Sequence, residues 1–221
     1  MWSWSFTFKV LPKLLSAAKI TFIATILGFL LASFLGLVWT LLKRTKIHWI
    51  SKSTTAIVEF IRRTPLLIQL FFLYYTLPNF NIRLPALTVG IIGLGLHYST
   101  YLSEVYRAGI ESVEKEQWEA AKALNFTSYQ TWTLVILPQA IPPIIPMMGN
   151  YLITLFKETP LLAAISVVEL LQKAKIIGSE YFQYLEVFTL VGVIFFIFSY
   201  PSSLLVQYLE IKLKNPAEKR T

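Results

Sequence analysis

The sequence predicts an all-α membrane protein with five transmembrane helices. Three observations carry that reading: scarce charge, several long apolar runs, and cations gathered in alternate connecting segments. Hydrophobic residues make up 55% of the 221 and charged residues only 14%, where a soluble domain carries about 25% charged residues. Too little polar surface remains to cover a water-soluble body of this size. The same numbers exclude intrinsic disorder. With no cysteine, a disulfide scaffold, a Cys₄ zinc site and thiol catalysis are excluded as well.

A helix crosses the hydrocarbon core in about 20 mainly apolar residues. Residues 1–19 precede the first such run and read as an outer interfacial segment. Trp2, Trp4, Phe6 and Phe8 stand there beside Lys9, Lys13 and Lys19, an amphipathic pattern with aromatics at headgroup depth. The segment lacks the apolar core and small-residue cleavage site of a secretory leader. The spans fall at about residues 20–42, 54–77, 84–106, 141–156 and 187–209. Ile20 to Leu42 has no charge and is the clearest of them. Thr54 to Leu77 is long enough but carries Glu59, Arg62 and Arg63 in its first half. Leu84 to Ser103 is uncharged, as is Val187 to Leu209. Ile141 to Phe156 opens on Pro142, Pro143 and Pro146. Prolines near a helix start are tolerated, and in a membrane neighbouring helices can satisfy the freed carbonyls. Leu161 to Leu171 is too short to cross; with the stretch to Leu185 it reads as an outer-face helix or re-entrant cap. Residues 210–221 form a cytoplasmic tail.

Lys and Arg number 20 against 12 acids, all of them Glu, for a net charge of +8. A basic soluble chain would point to nucleic acid, but no nucleic-acid motif is present. Topology explains the excess more simply, because membrane proteins keep cations in cytoplasmic loops. Lys43, Arg44, Lys46, Lys52, Arg107, Lys115, Lys122, Lys212, Lys214, Lys219 and Arg220 fall on one side of a five-span chain. The other side holds Lys9, Lys13, Lys19, Arg83, Lys157, Lys173 and Lys175. The bias puts the N-terminus outside and the C-terminus in the cytoplasm.

The largest cytoplasmic element is then the loop 107–140. Glu116 to Leu124 is built from good helix formers. Asn125 is a plausible stop, since Asn tolerates the left-handed conformation after a C-cap. Thr127 and Gln130 have capping-box spacing for a second helix, through Trp132 to Leu137 and into Pro138. The result is two helices meeting at a sharp corner outside the membrane. Ala120 and Ala121 leave one face small between Trp118 and Phe126, a shape that suits insertion into a partner's groove. A plain surface connector is the competing reading. There is no G-x-x-x-x-G-K-[ST] phosphate loop, so any ATP site lies on another chain.

The spacing Glu119-Ala120-Ala121, three residues, Asn125, nine residues, then Val135-Ile136-Leu137-Pro138 resembles the EAA loop of ABC importer permeases, E-A-A-x₃-G-x₉-I-x-L-P. Asn125 stands for Gly, the mildest replacement at a left-handed position, and Val135 for Ile. Arg62 to Phe72 resembles the R-G-T-P-L-L-V-Q-L-F segment of polar amino acid permeases, with Arg63 where Gly is usual. Ser103-Glu104-Val105-Tyr106-Arg107-Ala108-Gly109-Ile110 resembles the end of their third span. Gly149-Asn150 through Lys157-Glu158-Thr159-Pro160-Leu161-Leu162 resembles the fourth span and the outer segment after it. Within that family, the Trp-Glu-Ala-Ala-x₂-Leu-Asn and Lys-Glu-Thr-Pro-Leu-Leu runs look most like ectoine/hydroxyectoine importer permeases.

The resemblance implies the type I importer permease fold, half of a channel in a prokaryotic inner membrane. Two permease chains pair, as a homodimer or heterodimer. Two cytoplasmic ATP-binding subunits carry ATP and Mg and dock on the two EAA loops. An extracytoplasmic binding protein delivers a small polar or zwitterionic solute. On this basis Trp118, Glu119, Ala120, Ala121 and Asn125 form the ATPase-docking set. The contact is mechanical, so no residue of this chain is catalytic, and the chain needs no cofactor or metal of its own.

Charges within spans are costly and normally face a bundle interior or a cavity. Glu59 with Arg62 and Arg63, and Glu104 with Arg107, have i,i+3 and i,i+4 spacing near the cytoplasmic helix ends. They read as ion pairs at the inner lip, with Arg reaching lipid headgroups; an inner gate is the alternative. His97 and Tyr101 share a face of the third span, as Asn150 and Thr154 do on the fourth. All four are candidates for the substrate pathway, where an aromatic face could hold a cationic ring. The bland alternatives are packing for His97 and interhelical hydrogen bonds for Asn150 and Thr154. Gly90, Gly93 and Gly95 read as close helix packing. A membrane enzyme would need clustered His, Asp or Glu, which the sequence does not offer. A passive channel or a scaffold subunit would not need the corner.

Overall fold

The computed structural model describes residues 2–213. The tail's Lys214, Lys219 and Arg220 lie outside the described residues. Every regular element among the described residues is helical.

Helix α1 (Trp4–Lys43) is 40 residues long and contains Pro12; Ser3 caps it by accepting from the Phe6 N–H at 3.3 Å. The interfacial segment and the first span are therefore one helix. The sequence changes polarity near Lys19, but Ser16 to Ile20 contain no breaker. Val10, Leu14 and Ala18, spaced four apart, are buried in one cluster with Leu170, Ala174 and Val187. Packing of that stripe carries the helix through the polarity change.

Residues 54–77, which hydropathy joins into one span, are divided. Helix α2 (His48–Arg63) ends at Thr64, whose ψ is 132°, and α3 (Leu66–Phe71) begins after Pro65. Proline disfavours helical geometry at the residue before it, which places the break. A π-helical turn (Phe72–Thr76) and a 3₁₀ turn (Leu77–Phe80) continue α3, and Asn81 closes it with φ 61°.

Helix α4 (Ala86–Glu111) is the central element. It runs parallel to α1: Gly28 meets Leu94, Gly36 meets Leu102, and Lys43 pairs with Glu104. Gly28, Ala32 and Gly36 form a stripe of small residues that lets the backbones close up. A Cβ at Gly36 would sit 3.1 Å from the Ser99 carbonyl oxygen. Two hydrogen bonds lock the seam: Trp39 Nε1 donates to Ser99 Oγ at 2.9 Å, and Thr40 Oγ1 donates to the Ser103 carbonyl at 3.1 Å.

After α5 (Lys115–Ala123) and the short α6 (Ser128–Gln130), a π-helical segment (Thr131–Ile136) leads into α7 (Leu137–Glu158). A 3₁₀ stretch (Thr159–Ile165), α8 (Leu170–Tyr181) and α9 (Tyr184–Leu213) complete the chain. Pro142, Pro143 and Pro146 lie inside α7. Glu169, fully buried, caps α8 by accepting from the Leu171 and Gln172 N–H groups. Burial pushes its carboxyl above the ordinary carboxylate range, partly offset by those two bonds. Thr21 of α1 accepts from the Leu170 N–H at 3.2 Å, and Glu186 of α9 accepts from the Ser3 N–H at 2.8 Å. The first ties the start of α8 to the middle of α1, and the second ties the start of α9 to the start of α1.

Among the described residues, three helical stretches are long and apolar enough to cross a membrane: Trp4–Lys43, Ser128–Ile165 and Tyr184–Leu213. Leu66–Phe80 is a shorter apolar helical stretch. Helix α4 is more polar than the three, and its His97, Ser99, Thr100 and Ser103 are buried in the protein.

Candidate coupling corner and solute path

The corner forms as its spacing predicts. Helix α5 ends at Ala123, Asn125 takes φ 58°, and the Phe126 N–H returns to the Ala121 carbonyl at 3.0 Å. Thr127 then builds both halves of a capping box with Gln130. The predicted second helix is π-helical from Thr131 to Ile136. Pro138 lacks the N–H that the Leu134 carbonyl would use, and a wider turn of this kind recurs at functional sites. Trp118 and Trp132 meet edge to face at 5.3 Å, and the Arg44 guanidinium lies 5.8 Å from the Trp132 ring. Gln139 Nε2 donates to Gln117 Oε1 at 3.3 Å. The two arms are thus braced against each other and against the end of α1.

Trp118, Glu119, Lys122, Phe126 and Trp132 line an open cleft of about 420 Å³. The two alanines of the corner divide. Ala120 is exposed, while Ala121 is 2% exposed and faces the chain's own body. Ala121 therefore sets the corner's internal packing, and the outward small face is Ala120 with Ala123. Glu119 points outward with only an exposed Lys115 at 3.4 Å, a pairing worth little in water. Leu124, 68% exposed at the tip, is an apolar contact that the sequence reading did not single out.

The charged residues gather where α1, α2 and α4 meet. Glu59 pairs with Arg62 and Arg63 within α2. Glu104 is a hub: Arg107 within α4 and Lys43 of α1 both approach to 2.8 Å, and Arg62 of α2 to 3.8 Å. Arg107 also reaches Glu111. The intrahelical pairs follow from spacing. Lys43 does not, because its partner lies 61 positions away on a neighbouring helix.

Of the four predicted pathway residues, His97 and Tyr101 lie in a ring cluster with Tyr98 and with Tyr151 of α7. His97 is 5.3 Å from Tyr101, and Tyr151 is 5.8 Å from Tyr101 and 6.3 Å from Tyr98. Asn150 is exposed beside Tyr151. The Thr154 hydroxyl donates to the Asn150 carbonyl at 2.9 Å, a bond within α7. Glu158 is near enough to act electrostatically on His97 and Tyr98. Sequence reasoning missed Tyr151 and Glu158 as members of this set, and Gln69, whose Nε2 lies 3.0 Å from His97 Nδ1 behind it. Gln69 carried a signal, as a polar side chain in an otherwise apolar run.

The family model for the binding-protein-dependent transport system inner membrane component matches residues 44–215. The probable amino-acid ABC transporter permease protein y4tG of Sinorhizobium fredii is 44% identical, covering 95% of this chain and 90% of that protein. The L-cystine transport system permease protein TcyB of Bacillus subtilis is 36% identical over 91% of this chain and 87% of its own length. Among solved structures, an amino acid ABC transporter crystallised with histidines superposes with a TM-score of 0.90, at 32% identity, covering 96% of this chain and 99% of that one. The MetNI methionine ABC transporter in an inward-facing form superposes at 0.70 with 18% identity, covering 97% of this chain and all of that one, which speaks to the fold alone. The fold, the corner and these matches lead to one conclusion: the chain belongs to the family of binding-protein-dependent transport system inner membrane components.

Proposed function

We propose that this chain is the permease subunit of an ATP-binding-cassette importer for a polar amino acid or a related zwitterion. It moves a solute and converts none, so ATP and Mg are held by a separate cytoplasmic subunit. The observation that carries this reading is the braced corner, with Glu119, Ala120 and Leu124 turned outward beside an open cleft. In this family such a corner is the element on which an ATP-binding subunit docks. A second permease chain, as a homodimer or a heterodimer, would complete the channel. An extracytoplasmic binding protein would deliver the solute. The distribution of Lys and Arg supports an outside N-terminus and a cytoplasmic C-terminus, with five crossings, the second broken at Thr64-Pro65. The Glu59, Arg62, Arg63, Glu104 and Arg107 cluster then lies at the inner lip.

The solute path follows the ring cluster. Tyr101 and Tyr151 form an aromatic wall, Asn150 and Thr154 a polar one, and His97 backs Tyr101 from inside the protein. Aromatic faces with Glu158 nearby suit a solute bearing a cationic group. Relatives named for glutamine, L-cystine and other amino acids support a polar amino acid; the Trp-Glu-Ala-Ala and Lys-Glu-Thr-Pro runs support ectoine. Uptake of labelled ectoine, glutamine and arginine, in cells with and without the chain, tests both. Loss of ectoine uptake alone selects the compatible solute; loss of an amino acid selects the other branch. Unchanged uptake of all three would count against both. For the path itself, Tyr101→Ala should raise the KM for the transported solute about thirtyfold, the size of a desolvated cation–π contact. Tyr101→Phe should retain the parent KM. Equal effects of the two variants would remove Tyr101 from the path.

A further inference from the structure

The break at Thr64-Pro65 leaves backbone carbonyls without helical partners. The Ile61 carbonyl would bond the N–H four residues on, but that residue is Pro65, so its backbone partner is the Thr64 N–H at 3.3 Å. The Thr64 carbonyl loses its partner as well, because the Ile68 N–H turns to Pro65 at 3.0 Å. One side chain attends to both: Gln69 Nε2 donates to the Ile61 carbonyl at 2.7 Å and to the Thr64 carbonyl at 2.9 Å. The same nitrogen lies 3.0 Å from Nδ1 of His97 on α4.

Donor counting fixes the state of this cluster. An amide nitrogen has two hydrogens, and both are directed at carbonyls. The opposite amide orientation would press Oε1 against two carbonyl oxygens. A hydrogen on His97 Nδ1 would face a donor, so Nδ1 offers its lone pair and shares an amide hydrogen. In this arrangement Nδ1 is the acceptor, alongside the two carbonyls. His97 is 8% exposed, so water does not readily replace it as the third partner.

We propose that Gln69 and His97 are a positioning pair that clasps the unwound joint between α2 and α3 and fixes α2 against α4. The pair touches no solute. It holds the end of α2 that brings Arg62 to Glu104, and Tyr101 adds a long contact, its hydroxyl 3.5 Å from the Arg62 carbonyl. Gln69 makes the joint definite; without it the Thr64 carbonyl is bare and the Ile61 carbonyl keeps one weak bond, from the Thr64 N–H at 3.3 Å. The consequence for transport rests on the importer reading, but the joint itself can be tested apart from it.

The chain has no cysteine, so spin labels can be placed directly. Ile57 and Ile68, 49% and 52% exposed, flank the joint. With labels on cysteines at these positions in the full chain in lipid nanodiscs, the distance distribution should be narrow. Gln69→Leu and His97→Leu should each broaden it. His97→Asn, which puts an acceptor near the place of Nδ1, should leave it narrow. A distribution as narrow in both Leu variants as in the parent overturns the proposal. In uptake assays of the assembled transporter, Gln69→Leu should lower the maximal rate about five- to tenfold at an unchanged KM. A raised KM at full rate would make Gln69 a solute contact and refute the positioning role. Absence of uptake by the parent would sink the importer reading and leave the distance measurement to decide the joint.

Discussion

Glu119→Lys should lower ATP-driven uptake at least tenfold while the chain still inserts and pairs. Glu119 is exposed and its nearest cation, Lys115, is itself exposed, so the reversal disturbs little inside the chain. Surface ion pairs of this kind contribute about 0–1 kcal/mol, and folding should be nearly unaffected. Docking is different. At a contact closed to water, a like-charge juxtaposition costs several kcal/mol. Co-purification of the ATP-binding subunit should fall in step with uptake. Ala120→Trp should do the same by bulk, since Ala120 is the outward small residue. Ala121→Trp should instead disrupt the corner itself, because Ala121 is 2% exposed. Full uptake and intact co-purification in both Glu119→Lys and Ala120→Trp would remove the coupling role.

Gly36→Val should be strongly damaging to the helical seam. A Cβ there would lie 3.0 Å from Leu102 Cβ, 3.1 Å from the Ser99 carbonyl oxygen and 3.2 Å from the Ser103 N–H nitrogen. None of these is the far end of a flexible side chain, so α1 and α4 must separate. Overpacking costs about 1–3 kcal/mol, and the separation also stretches the Trp39–Ser99 and Thr40–Ser103 bonds. The melting temperature in detergent should fall by several degrees, with a lower yield of assembled protein. Gly192→Ala is the control: nothing lies within 4 Å of a Cβ there, and alanine is the better helix former. Equal melting of the two variants would refute the idea that the α1–α4 approach is set by Gly36.

The corner was legible because it is local. Asn125 after a short helix, and Thr127 three before Gln130, state their geometry within a few residues. The intrahelical pairs of Glu59 and Glu104 were legible for the same reason. What the sequence did not announce depends on distance. Lys43 reaches Glu104 across a helix seam, and Tyr151 joins Tyr101 from another helix. Ala120 and Ala121 look alike in a row, and only the packing of the corner sends one outward and one inward. Hydropathy misjudged two boundaries in opposite ways. It divided α1 at Lys19, where a buried stripe carries the helix on, and it joined residues 54–77, where one proline decides otherwise. Apolar character reports where a segment is content to lie, whereas backbone continuity depends on breakers and packing.

The parallel seam of α1 and α4 makes a lever. Forty residues of α1 reach about 60 Å at 1.5 Å each, and α4 is bound along its inner half. The corner follows α4 directly, so a push on the corner turns both helices as one arm. A tilt of about 5° at the inner end would displace the tip at Trp4 by about 5 Å over that length. That tip is tied through Ser3 to Glu186. On the proposed topology, an angstrom-scale stroke at the cytoplasmic corner would thus arrive at the outer mouth enlarged.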